Sequence, residues 1–90
     1  MAGPIRIRWV EDFDTDSEMW GLSSFIKREI ILRRGMDPVQ LGIVFFHELF
    51  HFALYDSGMS QDHSKEAEER LCNLVGSMMA RTNLVPVREP

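Results

Sequence analysis

Three ionisable side chains, His47, Glu48 and His51, stand inside the most apolar stretch of the chain. Around them run Leu41, Ile43, Val44, Phe45, Phe46, Leu49, Phe50 and Phe52, apolar on almost every side of a helix. Gly35-Met36-Asp37-Pro38 precedes the stretch, with Asp37 in position to cap and Pro38 at the first helical residue. Asp56-Ser57-Gly58 supplies the stop. The pattern predicts a buried central helix from Pro38 to about Leu54. Two imidazoles and a carboxylate are costly to bury there unless they satisfy one another or a metal satisfies them. A metal-free, hydrogen-bonded core is the simpler alternative, and the cost of burial weighs against it.

The rest of the chain limits what can surround that helix. Ninety residues make one domain, 1–90, and a small one, which benefits from a metal or partner as a staple. Ile5–Val10 alternates in side-chain character and predicts a strand. Glu11–Glu18 is an acidic loop, and Met19–Ser24 is ambiguous, with Gly21 as a breaker. Phe25–Arg34 predicts a strand over its second half, where Ile30 and Ile31 are β-branched. A second helix is expected from about Ser64 to Arg81, with Ala67, Leu71, Leu74, Val75, Met78 and Met79 as its apolar stripe. The tail Thr82–Pro90 is expected to be extended. The predicted fold is α+β: a small antiparallel or mixed sheet packed on two helices, with a metal between them.

Charge and cysteine content exclude several function classes. A net charge of −4 and a pI near 5.2 argue against nucleic-acid binding, which needs cations to neutralise phosphates. One cysteine cannot build a disulfide framework and points to a reducing, cytoplasmic setting. Arg6, Arg8, Glu11 and Asp12 stand where a secretory leader would be apolar, so none is expected. The polar residues within Val39–Tyr55 argue against a membrane span. The run Asp12-Phe13-Asp14-Thr15-Asp16 fails as a calcium loop, because Ser17 and Ser23 stand where Gly and Glu are required. Lys27, Arg28, Arg33 and Arg34 flank the Ile-Ile-Leu strand, as charges protecting an edge strand do. That edge would accept an extended peptide if it bordered the cleft.

His47-Glu48-Leu49-Phe50-His51 is the constellation that carries chemistry. Histidines four apart share a helical face, so both imidazoles reach one metal ion. Glu48 lies near that face without sharing the coordination position, placed to take a proton from a water on the metal. Shuffling this composition produces the pattern only ~0.006 times per chain.

Val44–Ala53 resembles the signature of the zincin metallopeptidases, in which HExxH lies among uncharged residues on the active-site helix. The order of strand, short turn and motif helix is also similar to theirs. The small size and the acidic second helix resemble minimal gluzincins, including phage-type domains. The resemblance covers Phe25–Met79 and implies zinc, a peptide or protein substrate, and Glu48 as general base.

A catalytic zinc site requires a third protein ligand and an open position. The metzincin extension fails, because Leu54 and Ser57 stand where it needs glycine and histidine. His63, Glu66, Glu68 and Glu69 remain. In helical phase, Glu68 falls about 65° from the centre of the apolar stripe, Glu66 about 135° and Glu69 about 165°. Glu68 therefore borders the inward face, and Glu66 and Glu69 are expected to point to water. The gluzincin resemblance also implies a glutamate on a later helix. His63 would take the role if the chain were closer to SprT-like zincins. Tyr55 is a candidate oxyanion donor, or a tyrosine with a buried ring. Cys72 is a candidate soft ligand, or a small buried hydrophobe. The expected function is a zinc-dependent peptidase with metal ligands His47, His51 and Glu68. The alternative is a zinc-stabilised binding or regulatory module with little or no catalysis.

Overall fold

The central helix begins and ends where its flanking residues dictate. The computed structural model describes residues 3–13, 18–62, 64–82 and 87–90. His63, the middle of the acidic loop and part of the tail lie outside the described residues. Helix α1 spans Pro38–Ser57, three residues beyond the expected end. The Asp37 carboxylate accepts from the Gln40 amide at 2.8 Å. Gly58 closes the helix in the left-handed conformation, φ 81°, and its amide donates to the Tyr55 carbonyl.

Three strands form a mixed sheet: β1 Arg6–Val10, β2 Gly21–Ser24 and β3 Glu29–Arg33. Their order is β1-β3-β2, with β1 parallel and β2 antiparallel to β3. The β-branched strand β3 is thus central, and Ile30 and Leu32 are fully buried in a core with Phe45, Phe46 and Phe52. Two expectations are corrected here. The ambiguous Met19–Ser24 segment supplies β2, one of the two edge strands, and β3 between β1 and β2 has no free edge for its cations to protect or a peptide to join. Those cations have other work. Arg28, at φ 54°, sends its guanidinium to Asp56 at 2.5 and 3.1 Å and to the Gly3 carbonyl at 2.7 Å. Arg33 lies over the Trp20 ring at 4.5 Å, and Arg34 meets Glu11 at 3.4 Å.

After a 3-10 turn at Met59–Asp62, helix α2 runs Lys65–Ala80. Ser64 caps it by accepting from the Ala67 amide at 3.1 Å, so both ends fall within a residue of expectation. Its orientation differs from expectation. The buried residues of α2 are Cys72 and Gly76, while Leu74 and Met78 of the apolar stripe are 57% and 56% exposed. The line through the two buried residues lies about 125° from the centre of the stripe, whose Ala67, Leu71, Val75 and Met79 remain half-buried. The physical reason is Gly76. A Cβ there would lie 2.6 Å from the Ile43 carbonyl oxygen and 3.3 Å from the His47 amide nitrogen. The two helices therefore meet backbone to backbone, along the small residues Cys72, Gly76 and Ala80. Among the described residues no helix is long and apolar enough to cross a membrane.

Gly76→Ala should force these helices apart and destabilise the fold by about 1–3 kcal/mol, as overpacking does. Each kcal/mol corresponds to a melting shift of roughly 4–8 °C for a domain of this size. Gly42 is the control, because a Cβ there would meet Ala80 at an ordinary 3.5 Å. Gly42→Ala should be neutral or stabilise by up to about 1 kcal/mol through helix propensity. Equal melting temperatures for Gly76→Ala and wild type would contradict the close contact.

Candidate metal centre

His47 and His51, one turn apart on α1, aim their Nε2 atoms at the same point, 3.2 Å from each other. Helix α2 brings two carboxylates to this pair. Glu69 approaches from above, with Oε2 3.3 Å from His47 Nε2 and Oε1 2.9 Å from His51 Nε2. Glu68 lies on the other side of His51, whose Nδ1–H donates to its Oε2 at 2.6 Å. A carboxylate only accepts, so this bond calls for a proton on Nδ1. In the neutral ring, Nε2 then presents a lone pair to a second imidazole nitrogen and a carboxylate oxygen. A cation or a further ring proton would relieve the arrangement.

The spacing fits a metal. Two ligands about 2.0–2.1 Å from a tetrahedral zinc lie about 3.3 Å apart; in this triangle of residues the two Nε2 atoms are 3.2 Å apart, and Glu69 meets them with different oxygens, Oε2 at 3.3 Å from His47 and Oε1 at 2.9 Å from His51. Glu48 falls outside the triangle, with Oε2 3.9 Å from His47 Nε2. Its Oε1 instead accepts from Ser23 Oγ at 2.8 Å.

The expectation that Glu69 points to water is therefore corrected. Its side chain remains 48% exposed, yet its carboxylate spans both histidines. The sequence phase was measured from the apolar stripe, whereas the helices meet along Cys72 and Gly76. From that line Glu68 lies about 60° to one side and Glu69 about 40° to the other. The structure thus brings His47, Glu48, His51 and Glu68 together as expected, and adds Glu69. Glu66 is exposed, as expected.

His51, Glu68 and Cys72 also form a compact group with donor atoms within 4.8 Å of one another. It suits a metal less well, because it uses one imidazole and requires a thiolate. Cys72 is fully buried. Burial first, then the charges of Glu68, Glu69 and Glu48, push its thiol from 9.0 up to about 12. It serves here as a small packing residue. Tyr55 is half exposed, stacks on Phe25 with ring centroids 4.3 Å apart, and does not line the cleft, so it supplies no oxyanion donor there.

A cleft of about 830 Å³ opens over the triangle. One wall is β2 with Met19 and Trp20 before it, and the other is formed by α1 and α2, including Lys65 and Asn73. Gly21 lets β2 close on α1, since a Cβ there would lie 2.5 Å from Val44 Cγ1. Ser23, directly opposite Ile30 in the antiparallel pair, shares that inward face. In the sequence Ser23 stands out only as a mismatch to the calcium-loop pattern, and its same-face spacing from Gly21 is the signal that places it here. No family model, curated protein or solved structure matches the chain.

Two outcomes are expected. Glu69→Gln should weaken metal binding, measured by competition with a chelating dye, by more than the 10- to 100-fold typical of a supporting residue. Glu68→Gln should stay within about that range, and the reverse ranking would restore Glu68 as the ligand. For Cys72, the folded thiol holds its proton more tightly than the unfolded one. Its contribution to stability is full below pH 9.0 and declines as the pH rises towards about 12. Denaturant titrations should show that decline in wild type and a flatter profile in Cys72→Ala.

Proposed function

We propose that the chain is a zinc-dependent peptidase of gluzincin type, with His47, His51 and Glu69 holding the metal and Glu48 as general base. One observation carries the reading: two imidazole Nε2 atoms and the Glu69 carboxylate converge on the cleft floor, one ligand atom of each within 4.8 Å of the others, and a second carboxylate is held just outside them. Zinc in such a site lowers the pKa of a bound water and polarises a carbonyl.

The chain's own residues supply the remaining chemistry. Glu48 takes a proton from the attacking water and delivers it to the departing amine. Glu68 holds the His51 ring through Nδ1, which orients Nε2 and raises its basicity. Among the described residues no strand pairs with the outer edge of β2, and this edge runs beside the cleft. An extended peptide laid along it would gain main-chain hydrogen bonds while its scissile bond faced Glu48. The substrate class is therefore an unfolded or extended polypeptide. A cytoplasmic setting accords with the single free cysteine.

A second reading rests on the ligands' origin. They come from both α1 and α2, so a metal would staple the helices even without catalysis. This describes a zinc-stabilised binding or regulatory module. Metal-stripped protein reconstituted with zinc should cleave an unstructured test protein. Glu48→Gln should bind zinc with unchanged stoichiometry and cleave about 10²- to 10⁴-fold more slowly. Full cleavage by zinc-loaded Glu48→Gln would overturn the mechanism. Zinc that raises the melting temperature of a wild-type protein unable to cleave would establish the module instead.

A further inference from the structure

We infer that Ser23 is the positioning residue that keeps Glu48 a base rather than a fourth protein ligand. The inference rests on the metal centre proposed above and concerns what separates two carboxylates with access to the same ion. Glu48 follows His47 directly, and its Oε2 is 3.9 Å from His47 Nε2. A flexible glutamate this close to a liganding imidazole would be drawn towards a divalent cation bound there, and as a ligand it could no longer take a proton from the water.

Strand β2 opposes that movement at three points. Ser23 Oγ donates to Glu48 Oε1 at 2.8 Å, and the same hydroxyl lies 3.2 Å from the Glu48 backbone carbonyl. One hydroxyl thus engages the side chain and the main chain of the residue it positions. The Gly21 backbone lies along the carboxylate, and a Cβ there would be 3.3 Å from Glu48 Cγ and 3.5 Å from Oε2. The register Gly21↔Leu32 and Ser23↔Ile30 places both on the face towards α1. A slip of one residue would present Leu22 and Ser24 instead and remove the donor and the gap together. Glu69 has no such restraint from β2, and it is the carboxylate that meets both imidazoles.

The test uses cobalt(II) in place of zinc, so that coordination is read from visible absorption independently of turnover. Wild type should show the intense bands of a four-coordinate site. In Ser23→Ala, Glu48 enters the coordination sphere, and band intensity should fall by about twofold or more as the site becomes five-coordinate. Turnover of an unstructured protein by the zinc form should fall about tenfold, in kcat rather than KM, the scale of one charge-assisted hydrogen bond. Ser23→Thr keeps the hydroxyl and should restore both signals. On a Glu48→Gln background, Ser23→Ala should change neither the spectrum nor the residual rate. An unchanged cobalt spectrum in Ser23→Ala would overturn the inference, as would an equal loss on both backgrounds. Failure of wild type to bind cobalt or zinc at all would remove the metal centre itself, and the inference with it.

Discussion

The close passage of α2 over α1 at Gly76 sets the rest of the site. A side chain at that point would meet the Ile43 carbonyl oxygen at 2.6 Å, so only glycine allows the two backbones this proximity. Once the helices touch there, the azimuth of α2 follows. Cys72 and Gly76 turn inward, and Glu68 and Glu69 straddle the contact line and arrive on opposite sides of His51. The cost is visible on the other face, where Leu74 and Met78 remain more than half exposed. The helix gives up burial of these two apolar side chains, though not of Met79, for a contact that seats its carboxylates.

That exchange explains where the sequence was legible. Helix ends are local features, and Asp37, Pro38, Gly58 and Ser64 announced them through single-residue chemistry. The HExxH spacing was equally local, because a histidine pair four apart needs only one helix to bring it together. The azimuth of α2 is a tertiary property. Hydrophobic phase predicted it wrongly, and Glu69 with it, because apolar area was assumed to decide which face packs. A better signal was present in Cys72, Gly76 and Ala80, small residues four apart that form a shallow groove for a neighbouring backbone. Strand β2 was obscured for a related reason. Gly21-Leu22-Ser23-Ser24 is short and lacks β-branched residues, and the glycine that reads as a breaker is the residue that allows contact with Val44.

Helix α1 divides its chemistry between two neighbours. His47 and His51 point to the side covered by α2, which supplies carboxylates to both ring edges. Glu48 is turned about 100° from His47 around the helix, which carries it to the side closed by β2. There it meets a hydroxyl and bare glycine backbone. The groups proposed to hold metal and to move a proton are thus one residue apart in sequence but are restrained by different elements. Because α2 and β2 each approach through a glycine, the ligand side and the base side can be perturbed separately.

The same arrangement couples the site to stability in a chain this small. Ligands on two helices make any bound ion a cross-link between the longest elements of the fold, and its binding energy becomes folding energy. Without that cross-link, the junction relies on small residues at Gly76 and Ala80 and on the bond between His51 and Glu68. Sheet and α1 share a hydrophobic core in Ile30, Leu32, Phe45, Phe46 and Phe52, to which α2 adds Met79. Loss of metal should therefore loosen α2 before it loosens the sheet, and the histidines would remain in place on α1 while their carboxylate partners move away. An architecture of this kind ties the completeness of the histidine–carboxylate cluster to the seating of one helix.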